Sequence, residues 1–150
     1  MPMNLAELEC RTPKWSPDGK RIAFAGNDHT GRHIYVIGIG GPGPQRLTDG
    51  EAEERSPTWA PDGKRIAFSV GGIGNRDIAV ADVDGARLHP VTAGTGDDRS
   101  PAWSRSGKHL AFDRFAEGAL DIYGVEASGG LGVHYIWGSP LACSHLRKPT

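Results

Sequence analysis

Apolar residues in this chain come in short runs parted by turn residues, as in "RIAF" at Arg21–Phe24, "HIYVI" at His33–Ile37, "RIAF" again at Arg65–Phe68 and "DIAV" at Asp77–Val80. No stretch of eleven or more residues carries a 3.6-residue apolar period, so the pattern predicts strands and no helices. Runs that are apolar on consecutive positions predict burial on both faces of a sheet. Before the first "RIAF" stands "SPDGKR", in which Pro17 presets φ, Asp18 can accept a backbone bond two residues on, and Gly19 accepts positive φ. The motif predicts a tight hairpin turn.

The pattern repeats. "PKWSPDGKRIAF" from Pro13 returns as "PTWAPDGKRIAF" from Pro57 and as "PAWSRSGKHLAF" from Pro101, 44 residues apart each time. Arg11–Ala25 and Arg55–Ser69 share eleven of fifteen positions, and Arg99–Asp113 shares eight with each, so one unit has been copied twice. Ile34, Ile78 and Ile122 keep the phase, and "RLT" at Arg46–Thr48 matches "PVT" at Pro90–Thr92. Each copy reads as four short strands, in the first "PKWS", "RIAF", "HIYVI" and "QRLT". In the third, Ser106 replaces the turn aspartate, which predicts the same turn with a weaker local bond. Four antiparallel strands buried on both faces, at a period of 44, describe a propeller blade. The fold class expected is all-β, a partial β-propeller of three four-stranded blades at about 9–52, 53–96 and 97–136, with a divergent tail over 131–150. Trp15, Trp59 and Trp103, with Phe24, Phe68 and Phe112 beside them, are expected to fill the gaps between blades.

Over roughly residues 9–126, "P-x-WSPDG-x-x-IAF…IYV…LT" resembles the TolB-type propeller repeat, a relative of the WD repeats. The resemblance implies a propeller. It leaves function open, because similar repeats occur in the periplasmic protein TolB, in the propellers of prolyl-oligopeptidase-like peptidases, and appended to sensors and regulators. Closed propellers have about four to eight blades, and TolB-like members usually six, so three copies give an open arc. Its end blades are expected to expose apolar faces of roughly several hundred Å² each. Either two chains complete one ring, or the sequence is part of a longer one. The last twenty residues hold no Asp or Glu, against 18 in the first 130, which marks a change in composition at the tail.

Gly 22 and Pro 11 in 150 residues agree with many turns. The net charge of −1 and the absence of a Lys/Arg run argue against nucleic acid as a partner. No apolar run approaches the roughly 20 residues that span a bilayer, so membrane insertion is not expected. The N-terminus lacks a basic and apolar leader, which places the protein in the cytoplasm if the chain is complete, and in the periplasm if it is a piece of a TolB-type protein. Cys10 and Cys143 read as two unpaired thiols.

Candidate chemistry lies ahead of each first strand, in "ELECRTP", "EAEERSP" and "GTGDDRSP". In register these give Glu9, Glu53 and Asp97, then Cys10, Glu54 and Asp98, then Arg11, Arg55 and Arg99. They fall beside the innermost strand and are expected to line one mouth of the central channel, able to hold a protein, a peptide or a small polar ligand. The competing reading is that each Arg pairs with an acid of the neighbouring blade and braces the ring. "GIGGPG" at Gly38–Gly43 fits a dinucleotide fingerprint, but Pro42 and Pro44 stand where a helix should begin. "DVDG" at Asp82 begins like a calcium loop but has Ala93 where Glu is needed, so it reads as a turn. His29 and His33 lie in a loop without metal-ligand spacing, and no G-x-S-x-G nucleophile elbow occurs. No catalytic residue, metal or cofactor is expected. The reading is a non-enzymatic binding scaffold, with the regulatory propeller of a serine peptidase and a homodimerising half-ring as alternatives.

Overall fold

The computed structural model describes residues 8–129, and every regular element among them is a β-strand. The first sheet runs β1 (Glu9–Trp15), β2 (Arg21–Asp28), β3 (Gly31–Gly38) and β4 (Gln45–Arg46), each hydrogen-bonded to the next. The second repeats it with β5 (Glu54–Trp59), β6 (Arg65–Gly72), β7 (Asn75–Asp82) and β8 (Leu88–Pro90). The third contains β9 (Asp97–Trp103), β10 (His109–Ala116) and β11 (Ala119–Glu126) in the same antiparallel order. The fourth strand expected near residues 132–136, the tail and Cys143 lie outside the described residues. The described residues therefore form all-β blades of up-and-down antiparallel strands, and among them the three sheets do not close into a ring.

The hairpin turns follow the sequence closely. Gly19, Gly63 and Gly107 sit at φ of 69°, 66° and 69°, a region costly for any residue with a Cβ. The Asp18 and Asp62 carboxylates accept from Lys20 N at 3.0 Å and Lys64 N at 2.8 Å. Ser106 Oγ accepts from Lys108 N only at 3.4 Å, so the third turn keeps its shape with a weaker bond.

One backbone feature was not anticipated. The pairing of β1 with β2 shifts register between Arg11 and Lys14, that of β5 with β6 between Arg55 and Thr58, and that of β9 with β10 over the same interval. At each shift a non-glycine residue has positive φ: Thr12 at 52°, Ser56 at 53° and Ser100 at 50°. Each stands before a proline. Proline cannot donate to a ladder and is tolerated in strands at edges and bulges, and here it has both, since β1, β5 and β9 are the edge strands of their sheets.

Alternation along β2, β3 and their copies divides each blade into two apolar faces. Between the first two blades, Ala23, Ala25 and Ile34 of the first meet Trp59, Ile66 and Phe68 of the second. Between the second and third, Ala67, Ile78 and Val80 meet Leu110 and Phe112, with Trp103 packed against them. Small residues on one side receive large ones from the other. Trp59 is 7% exposed; its indole N–H donates to Lys14 O at 3.0 Å, and the Arg21 guanidinium lies 4.8 Å from the ring centroid. Trp103 does the same, donating to Thr58 O at 3.1 Å beneath Arg65 at 4.7 Å. A cation over an indole contributes up to about 2 kcal/mol when desolvated, beyond the burial of the ring. Trp15 departs from the expectation that all three tryptophans fill gaps. It is 60% exposed, because each tryptophan reaches back to the preceding blade and none of the described residues forms a blade before the first.

Candidate functional site

The innermost strands β1, β5 and β9 pack side by side, which brings the three charged segments to one end of the arc. Side chains two apart on a strand share a face, so each acid can reach the arginine two residues on. All three pairs form. Arg11 binds Glu9, Arg55 binds Glu53, and Arg99 Nε lies 2.9 Å from Asp97 Oδ2. Glu9, Arg11, Glu53, Arg55 and Arg99 all keep contact with solvent. The arginines thus pair within their own strands, not with the acid of a neighbouring blade as the bracing alternative supposed.

Asp97 is the exception among these acids. It is buried, and Arg76 of the second blade grips it with Nε at 2.7 Å, a terminal nitrogen at 2.8 Å and the backbone N–H at 3.2 Å. Hydrogen bonds from Arg76 hold its pKa down to about 2. One carboxylate thus serves Arg76 and Arg99 together, and the charge of Asp113 also reaches Arg76.

The second register turns inward. Glu54 is buried and accepts from Ile34 N at 3.1 Å and from the Thr48 hydroxyl, both in the first blade. His33 Nδ1 lies 3.9 Å away, and burial pushes the Glu54 carboxyl up and the His33 imidazole down. Asp98 is buried with both oxygens on Arg114, at 2.5 and 2.7 Å. Asp77 lies near this pair with its Oδ1 buried and unpartnered, and its pKa is raised by desolvation and then by Asp98. Cys10, third of this register, is exposed. Glu54, Asp97 and Asp98 therefore lie within the structure, while Glu9, Arg11, Glu53, Arg55 and Arg99 remain at its surface.

Sequence reasoning overlooked Arg76, Arg114, Thr48 and His33 as partners of the acids. A signal existed for two of them: Arg76 stands 44 residues after Arg32, and Thr48 stands 44 before Thr92, whose hydroxyl takes Ile78 N at 2.8 Å. Clefts of about 420 and 550 Å³ open away from the charged segments, beside the hairpin turns, lined by Arg21, Asp62, Lys64 and Asp84 among others. Neither of these clefts is lined by a residue of the charged segments. Among the described residues no group of three or more His, Cys, Asp or Glu is placed to hold a metal.

A family model described as the TolB beta propeller domain matches residues 4–75. No curated protein sequence matches the chain. Among solved structures, a TolB from Agrobacterium tumefaciens superposes with a TM-score of 0.72 at 27% identity, covering 83% of this chain and 48% of that one. TolB from Acinetobacter baumannii gives 0.68 at 23% identity, over 88% of this chain and 33% of that one. A puromycin-hydrolyzing peptidase from Mycobacterium tuberculosis gives 0.72 at 21% identity, over 89% and 24%, a likeness of fold alone. The chain spans about half the length of the first of these and less of the others. Its repeats are similar to those of the TolB β-propeller domain, and the described residues form a partial propeller.

Proposed function

We propose that this protein is a non-enzymatic binding scaffold whose charged mouth, formed by Glu9, Arg11, Glu53, Arg55 and Arg99 with Asp97 behind them, captures a protein or peptide carrying carboxylates. The observation that carries the reading is that Arg99, 36% exposed, gives its Nε–H to an Asp97 already gripped by Arg76, so that its terminal N–H groups face the surface as donors. Arg presents a planar fork matched to carboxylates, and three such groups on adjacent rigid strands are already in place before a ligand arrives. The repeated bulge supports it as well. An αL residue directly follows each Arg, and bulges re-aim neighbouring side chains at working surfaces. Glu54 and Asp98, buried behind the mouth, act as braces of the strands that present it.

Fluorescence anisotropy with short labelled peptides, one acidic, one basic and one neutral, tests the proposal. The acidic peptide binds and the others do not, with affinity falling as salt rises. Equal binding of all three, or of none, contradicts it. The likeness to a TolB at 27% identity supports the alternative in which the chain is a piece of a TolB-type protein, which the sequence resemblance places in the periplasm.

A further inference from the structure

The two open faces of the arc are complementary to one another. At each internal interface a first-strand tryptophan and its neighbours enter a surface made of alanine, one isoleucine and valines from the blade before. The near face of the first blade still offers part of the entering half: Trp15 is 60% exposed and Ile22 only partly buried, while Phe24 is already covered in a cluster with Leu8 and Tyr35. The far face of the third blade offers the receiving half. Ala111 stands 44 residues after Ala67, and Ile122 stands 44 after Ile78; Ala67 and Ile78 are fully buried, whereas Ala111 is exposed and Ile122 is 44% exposed. The carbonyl of Ala102 occupies the place of Lys14 O and Thr58 O, the acceptors of the next tryptophan. Leu120, half exposed, stands where Arg32 and Arg76 stand, while Asp113 and Gly124 stand where Ser69 and Val80 do, so this face keeps an apolar patch of Leu120 and Ile122 beside one carboxylate.

We propose that a second copy of this chain docks head to tail, seating its Trp15 against Ala111 and Ile122 of the first, so that two copies close one ring. A contact between unlike faces generates either a closed ring or an open filament, depending on the rotation it imposes. Three sheets per copy give six blades for two copies, inside the range of about four to eight that closed propellers adopt; one copy falls below it and three copies exceed it. His109 stands where Arg21 and Arg65 cap their tryptophans, and an imidazole is the weaker cap, so the joint between copies opens on dilution while the internal joints hold. This inference is independent of what the mouth binds.

Sedimentation equilibrium of the whole chain over a wide concentration range, with circular dichroism of the same samples, tests it. The expected result is a β-rich species of twice the 16.0 kDa monomer. Trp15→Ala and Ile122→Asp, on opposite faces, each raise the dimer dissociation constant by at least roughly tenfold while the dichroism spectrum of the monomer is kept. If Ile122→Asp alters that spectrum, Leu120→Asp at the half-exposed neighbouring position carries the same test. A folded monomer at every concentration overturns the proposal and assigns both faces to further blades of a longer chain. Mass that climbs past two copies overturns closure. A dimer that responds to only one of the two substitutions joins like face to like face and overturns the head-to-tail arrangement.

Discussion

Trp59 concentrates three contributions in one side chain: burial between blades, an indole bond to Lys14 O, and the Arg21 guanidinium over its ring. Trp59→Ala is therefore expected to lower stability by about 3–5 kcal/mol, read from urea unfolding. A loss below about 1 kcal/mol contradicts its role as the wedge between blades. Asp97 carries a pH dependence of known sign. Its folded pKa is held near 2 against 3.8 for the free side chain, so its contribution is present above about pH 4 and is lost as pH falls toward 2. Over that interval the wild type is expected to lose roughly 2 kcal/mol more than Asp97→Asn. Parallel acid-unfolding curves for the two proteins contradict it. At this scale the sequence located the acids and arginines but not their partners. The repeat aligns equivalent residues of different blades, whereas Arg76–Asp97 and Glu54–Thr48 join non-equivalent residues across a gap that only packing defines.

The strands and turns were the most legible elements. Short doubly apolar runs, a Pro-Asp-Gly turn and a period of 44 prescribe local geometry directly, and β1–β3, β5–β7 and β9–β11 fall where they direct. The bulges were not legible, because a proline inside a strand pattern reads equally as an edge, a bulge or a strand start until the partner strand is known. The third turn gives an element-scale test. Its backbone already matches the other two, and only the acceptor is poor: Ser106 Oγ lies 3.4 Å from Lys108 N. Ser106→Asp is expected to stabilise by roughly 0.5–1 kcal/mol, seen as a raised Tm. A lowered Tm means that the turn is not limited by this bond.

For the whole molecule, the open arc followed from counting copies, and the exposed Trp15 and Ile122 mark its two ends. Only the structure shows that Trp59 and Trp103 lean toward the preceding blade, since strand alternation alone does not say which way a blade faces. It also separates the charged segments, which in sequence look alike, into Glu9, Arg11, Glu53, Arg55 and Arg99 in contact with solvent and Glu54, Asp97 and Asp98 buried. That division supports a mouth that works by presenting guanidinium groups, and the most direct measurement is one protein assayed twice. Arg55→Ala/Arg99→Ala is compared with the wild type for Tm by calorimetry and for capture of the acidic peptide by anisotropy. Because Arg55 pairs with the exposed Glu53, a kind of pair that contributes about 0–1 kcal/mol, and the buried Asp97 keeps Arg76 as its partner when Arg99 is removed, Tm is expected to shift by no more than a few degrees while peptide binding is abolished. A large fall in Tm, or binding that survives the double substitution, contradicts the account and returns the mouth arginines to a bracing role.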